Sequence, residues 1–208
     1  RPEVPPMPTV PQQRMNVSDP LAQFRRWYEQ ARAAGIAKPH AMTLATVDAS
    51  GRPSARVVLL SRFDENGFVF HTNYQSRKGL DMDRNPWVTL VFWWDALGYQ
   101  VRIEGNAEKI TPGESDEYFA GRPRGSQLAA WASDQSQPIE SRTALEARMR
   151  ELSEHYEGGP VPRPPHWGGY RVIPQTMEFW EDRENRLHDR FLYRRDDQGQ
   201  WQCVRLAP

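Results

Sequence analysis

The chain has 208 residues, with 27 Lys plus Arg against 27 Asp plus Glu and so no formal net charge. That length holds one domain with a sizeable core or two small ones, and the neutral total excludes the global basicity of a dedicated nucleic-acid binder, so any cationic site must be local. The single cysteine, Cys203, excludes an intrachain disulfide and a multi-cysteine metal cluster and agrees with a reducing compartment. No apolar run approaches the ~20 residues that cross a bilayer. The N-terminal string RPEVPPMPTVPQQ lacks the apolar stretch of a secretory signal, which makes the cytoplasm the expected location.

Residues 1–17 are rich in proline and have no apolar period, which predicts an extended arm ahead of one domain over 18–208. Ser18, Asp19 and Pro20 signal a helix carrying Leu21, Phe24, Tyr28 and Ala31 on one stripe, and Gly35 ends it. AMTLATV (41–47), SARVVLLS (54–61) and GFVFHT (67–72) then read as a meander of strands separated by the turns DASG and DENG. WVTLVFWW (87–94) and YQVRIEGNAEKI (99–110) add two more, with Gly105 as a bulge. A helical insertion over about 111–157 follows. It starts at the capping box Thr111–Glu114, continues with a short helix over Ser126 to Ala132, and ends in what reads as the longest helix, about Pro138 to Tyr156, with Ile139, Leu145, Met149 and Leu152 on its stripe. Strands return at GYRVIP, TMEFWED, RFLYRR and QWQCVRL. Antiparallel strands interrupted by helices predict an α+β barrel or sandwich rather than a parallel sheet.

Three local groups of cations and hydroxyls stand out: Arg56 with Ser61 and Arg62, Ser76-Arg77-Lys78, and Arg122 with Arg124 and Ser126. Ser76-Arg77-Lys78 follows a strand and opens a helix, where backbone amides and two cations can meet a phosphate, although solvated charge at a helix start is common. Arg56 leads the apolar run Val57–Leu60, which reads as core, so it needs a structural carboxylate or a bound anion. In EFWEDRENRLHDR (178–190), an extended chain from Arg186 would put Arg186, His188 and Arg190 on one cationic face, or would form a charge-blunted edge strand. Trp180 beside these cations suits core packing or the cover of a planar ligand. The five histidines show no metal-binding spacing, and dinucleotide, P-loop and nucleophile-elbow motifs are absent.

From about Pro20 onward these strings resemble the pyridoxamine 5′-phosphate oxidase family. The most specific piece is EFWxxRxxRLHDR, supported by RVVLLS, SRK, GRPRGSQ and WASDQSQ in the same order. The resemblance implies a Greek-key split β-barrel with peripheral helices and FMN between the two subunits of a homodimer. It implies that Arg56, Val57, Val58, Leu59, Leu60 and Ser61 line the FMN, with Arg56, Arg77, Lys78 and Ser136 near its phosphate. His71, Thr72, Gln100, Gln135, Trp180 and Arg190 would complete that pocket, some from the partner subunit. Tyr118, Arg122 and Ser126 would hold a substrate phosphate, and Arg186, Leu187 and His188 would cover the reacting ring, Arg186 and His188 being the catalytic pair. The implied chemistry is hydride transfer from the amine- or alcohol-bearing carbon of a small-molecule substrate to the flavin, followed by reoxidation by O2 to H2O2. No metal, nucleic acid or membrane is expected.

Two departures bear on the substrate. Ser61 stands where the vitamin-forming enzymes of the family have a lysine, with Arg62 expected to point to the opposite face, and residues 1–17 lack the family's lid Arg and Tyr. The missing lysine and NPW at 85–87 are similar to the phenazine-biosynthesis oxidases of the same family, which act on dihydrophenazine carboxylates. GRPRGSQ is similar to the phosphate-binding version. A third reading, a flavin-binding protein without turnover, would have no use for Arg122, Arg186 or His188.

Overall fold

The computed structural model describes residues 18–208, so the arm expected over 1–17 lies outside the described residues. Helix α1 (Pro20–Ala33) opens with its proline in the first turn and the Asp19 carboxylate accepting the Leu21 amide. It turns Phe24, Trp27 and Ala31 inward. Phe24 meets Phe63, Phe68 and Phe92 edge-on at 4.8–5.0 Å, and Trp27 stacks on Tyr99 at 4.0 Å, so the helix is sewn into the main core by aromatic contacts.

The strands are β1 (Ala41–Val47), β2 (Pro53–Asp64), β3 (Gly67–Asn73), β4 (Trp87–Trp94), β5 (Tyr99–Lys109), β6 (Trp167–Glu181), β7 (Asp189–Arg195) and β8 (Trp201–Arg205). Their order is β3-β2-β1-β4-β5-β6-β7-β8, and β3 also pairs with β6. That extra pairing closes the first six strands into an antiparallel barrel. Placing β4 beside β1 after the β1-β2-β3 meander gives the Greek-key order, and helix α2 (Arg77–Arg84) lies in the connection. The closed barrel leaves no open edge among these six strands. Strand β6 is long enough to pair with β3 through Trp167–Val172 and with β7 through Thr176–Glu181, so the β7–β8 hairpin extends from its C-terminal half.

Several expectations are corrected. GYRVIP and TMEFWED are one strand of 15 residues. The bulge expected at Gly105 has its extra residue on β6, because the partners step from Glu104–Thr176 to Gly105–Pro174 and skip Gln175. Gly105 is still required there, since a Cβ would fall 2.0 Å from the Ile173 carbonyl oxygen. The run after Arg56 is not core: Val57 is 66% and Leu59 50% exposed, and only Leu60 is buried, because β2 alternates between the barrel interior and an open face.

The insertion folds as α3 (Pro112–Ala120), α4 (Arg124–Ala132) and α5 (Arg142–His155), with the Thr111–Glu114 capping box formed. Helix α5 has 14 residues, the same as α1, and Ile139 precedes it on the surface. Phe119, Leu128, Val161 and Trp167 make a second apolar cluster, against which Met149, Leu152 and Tyr156 pack. Trp167 opens β6, so this cluster is anchored directly on the barrel. No helix of the described residues is long and apolar enough to cross a membrane.

Candidate active site

Strands β2 and β3, the start of α2 and the insertion enclose a cleft of about 640 Å³. At one end its groups suit an anion. Ser76 caps α2 and Arg77 and Lys78 open it, so two cations meet at a helix N-terminus. Lys78 is buried, and its Nζ donates to Gln135 Oε1 at 2.9 Å and to the hydroxyls of Thr72 and Ser76 at 3.2 Å. Burial, assisted by the nearby Arg56 cation, pushes its pKa down to about 8. Neither Arg77 nor Lys78 has a carboxylate within ion-pair distance among the described residues. Arg56 is held from behind, donating to Thr46 Oγ1 and Ser54 Oγ at 2.7 Å each, with Asp81 at 3.9 Å. The two readings of Arg56 therefore coexist: it has a structural carboxylate and it also lines the cleft.

Gln135 and Ser136 reach this end from the loop after α4, and Ser136 adopts φ 73°, a left-handed backbone that costs a serine about 1–3 kcal/mol. Val57, Val58 and Leu59 supply the apolar wall. Leu60, expected beside them, faces the core instead and is 6% exposed.

At the other end His71 stacks on Tyr118 at 3.6 Å with 5° between the planes, and Ser61 Oγ is 2.7 Å from His71 Nδ1. The Arg122 guanidinium lies 4.5 Å over the Trp167 ring, and its buried Nη1 has no hydrogen-bond partner. Burial lowers the Arg122 pKa, a cost that a bound anion would offset. Ser126 lines the adjoining hollow with His71 and Arg122. Arg62 pairs with Glu114 and does not line the cleft; alternation would have put it on the core side with Leu60, but the strand slips its register between those two residues.

Gln100, Trp180, Arg186, Leu187, His188 and Arg190 do not line this cleft. They form a second constellation. Trp93, Gln100, Trp180 and Arg190 are successive cross-strand partners over β4, β5, β6 and β7, and His188 packs on Trp180 at 4.4 Å. The expected alternation from Arg186 is corrected: residues 184–186 form a 3-10 turn, Asn185 and Arg186 have φ 57° and 61°, and β7 begins only at Asp189. Arg190 turns to the buried Glu178, whereas His188 Nδ1 lies 3.0 Å from Asp182 Oδ1. Trp167, Thr46, Asp81 and Glu178, which support these groups, were not legible as site residues. Only Glu178 carried a signal, an acid alternating with Trp180 on a strand.

The chain is similar to known proteins along most of its length. Residues 28–156 match the family described as pyridoxamine 5′-phosphate oxidase, and residues 167–208 match the pyridoxine 5′-phosphate oxidase C-terminal dimerisation region. The chain is 60% identical over 190 residues to the pyridoxine/pyridoxamine 5′-phosphate oxidase of Rubrobacter xylanophilus, covering 91% of this chain and 87% of that protein. It is 56% identical over 191 residues to the protein of the same name from Acaryochloris marina, covering 92% and 87%. Among solved structures, PhzG from Burkholderia lata, in complex with tetrahydrophenazine-1-carboxylic acid, superposes with a TM-score of 0.87 at 36% identity, covering 92% of this chain and 93% of that one.

Proposed function

The chain belongs to the pyridoxamine 5′-phosphate oxidase family, and on that premise we propose how it oxidises pyridoxamine and pyridoxine 5′-phosphates to pyridoxal 5′-phosphate: with FMN held in the cleft of one subunit and covered by the second constellation of its partner in a homodimer. The observation that carries this reading is the pair Arg77 and Lys78, two cations at a helix N-terminus without carboxylate partners among the described residues, beside the exposed apolar wall of Val57 and Leu59. A phosphate ester with a flat ring system satisfies both halves.

FMN, when bound, supplies the two-electron chemistry, accepting a hydride from the substrate carbon and passing the electrons to O2 as H2O2. The protein's part is binding and orientation. Arg56, Arg77, Lys78 and Ser136 would anchor the cofactor phosphate. Arg122, Tyr118 and Ser126 would take the substrate phosphate, and the stacked rings of His71 and Trp167 would shield that end from water. Arg186 and His188 lie outside the cleft on the same chain, so in this arrangement they reach the substrate from the second subunit, where their donors stabilise charge developing on it.

Aerobic turnover of the FMN-loaded protein with pyridoxine 5′-phosphate and pyridoxamine 5′-phosphate tests the proposal, with aldehyde and H2O2 followed together. Stoichiometric formation of both is expected. A flavin-replete protein that leaves both substrates untouched but oxidises a dihydrophenazine carboxylate would overturn the substrate, a reading kept in view by Ser61 and by the similarity to PhzG.

A further inference from the structure

Strand β2 slips its register between Leu60–Phe70 and Arg62–Val69, leaving Ser61 as the extra, unpaired residue of a bulge. Ser61 keeps the cleft face that Val57 and Leu59 occupy, and at the bulge it meets His71 Nδ1 at 2.7 Å. His71 is half-buried, and burial together with the flanking Arg62 and Arg122 cations pushes its pKa down to about 4, so it is neutral near pH 7. A neutral imidazole carries one proton, and its two nitrogens then play opposite roles.

The other nitrogen decides which. His71 Nε2 is buried without a partner, facing Gly169, where even a Cβ would come within 3.0 Å of it. An orphaned buried donor is rarer and more costly than an orphaned acceptor. The proton therefore sits on Nδ1 and is donated to Ser61 Oγ. With its oxygen engaged as an acceptor, the Ser61 hydroxyl is left to donate its own proton, and the open direction is the cleft.

We propose that His71 is a positioning residue for the anionic end of the substrate: by donating to Ser61 it commits the Ser61 hydroxyl to the ligand as a neutral donor beside Arg122, and its ring holds Tyr118 in place for the same anion. This assignment rests on the cleft being the site of a phosphorylated substrate. It makes Ser61 and His71 one functional unit, so their substitutions cannot act independently.

The test compares wild type, Ser61→Ala, His71→Phe, the double variant and Ser61→Thr as FMN-loaded homodimers. The readouts are the ratio of kcat/KM for pyridoxamine 5′-phosphate to that for unphosphorylated pyridoxamine, and the affinity for pyridoxal 5′-phosphate measured by absorbance without turnover. Losing one hydrogen bond to a charged group should lower both the ratio and the affinity about tenfold in Ser61→Ala. His71→Phe keeps the stack on Tyr118 and the Ser61 hydroxyl, yet should lose as much. The double variant should lose no more than either, and Ser61→Thr should stay within about twofold of wild type. Wild-type phosphate preference in His71→Phe, or losses that multiply in the double variant, would overturn the proposal. If wild type turned over neither substrate, the functional reading would fall, and the affinity series would still decide whether the pair acts as a unit.

Discussion

Arg190 donates from Nε to Glu178 at 2.7 Å, and Glu178 is only 3% exposed. Its second oxygen lies 2.9 Å from Arg102 Nη2 as an ion pair without hydrogen-bond geometry, so one buried carboxylate neutralises cations from β5 and β7. Glu178→Ala leaves two guanidiniums that water can reach, so the loss is that of a charge-assisted hydrogen bond rather than of a fully buried pair. It should amount to about 1.5–3 kcal/mol in denaturant unfolding at fixed protomer concentration. A loss below about 1 kcal/mol would mean that water replaces the carboxylate and that Glu178 does not fix Arg190.

The cations of α2 should govern flavin retention. Each charge-assisted contact to a phosphate is worth about 1.5–3 kcal/mol, so Arg77→Ala or Lys78→Ala should weaken FMN binding roughly tenfold or more, and the double variant should be isolated colourless. Equilibrium dialysis against free FMN measures this; a double variant that kept its flavin would contradict the assignment.

Lys78 also predicts a pH dependence. Its pKa is lowered to about 8 in the folded protein, and a phosphate binds best while the ammonium is protonated. FMN affinity should then be nearly flat between about pH 7 and pH 8, above the phosphate's own second pKa of about 6, and fall above pH 8 by at most about tenfold per pH unit, the slope of one released proton. Lys78→Arg should stay flat through this range, since a guanidinium does not titrate there.

His71 has the matching consequence for stability. Its pKa drops from 6.5 to about 4 on folding, so between those values the unfolded chain binds more protons and stability must fall as the pH falls. His71→Phe should lessen this acid loss between pH 6.5 and 4 in thermal unfolding scans; an unchanged slope would assign the loss to other groups.

Substitution of Arg186 or His188 should slow turnover while flavin stays bound. Because the cleft and His188 are proposed to meet only across subunits, mixing His188→Ala with an Arg77→Ala/Lys78→Ala chain should restore activity. Each mixed dimer would contain one site with both halves intact. No gain on mixing, with heterodimers verified by mass, would place both halves in one chain.

Much of this molecule was legible in the sequence, and the reasons are local. Asp19, Ser76 and Thr111 mark helix starts because a side-chain oxygen near an unpaired amide acts within three residues. Strand ends followed from turn residues and alternation, and EFWxxRxxRLHDR identified the chemistry. What the tertiary structure decided depends on register between distant segments. Pairing of β3 with β6 closes the barrel, and it brings His71 opposite Gly169, 98 positions away, a juxtaposition that alternation within either strand does not contain. The meeting of Ser61 with His71 beside the β2–β3 register slip and the buried acid that takes Arg190 likewise depend on cross-strand register. So does the separation of the cleft from His188. Local periodicity sets which face a side chain occupies, but only closure of the sheet sets what stands opposite it.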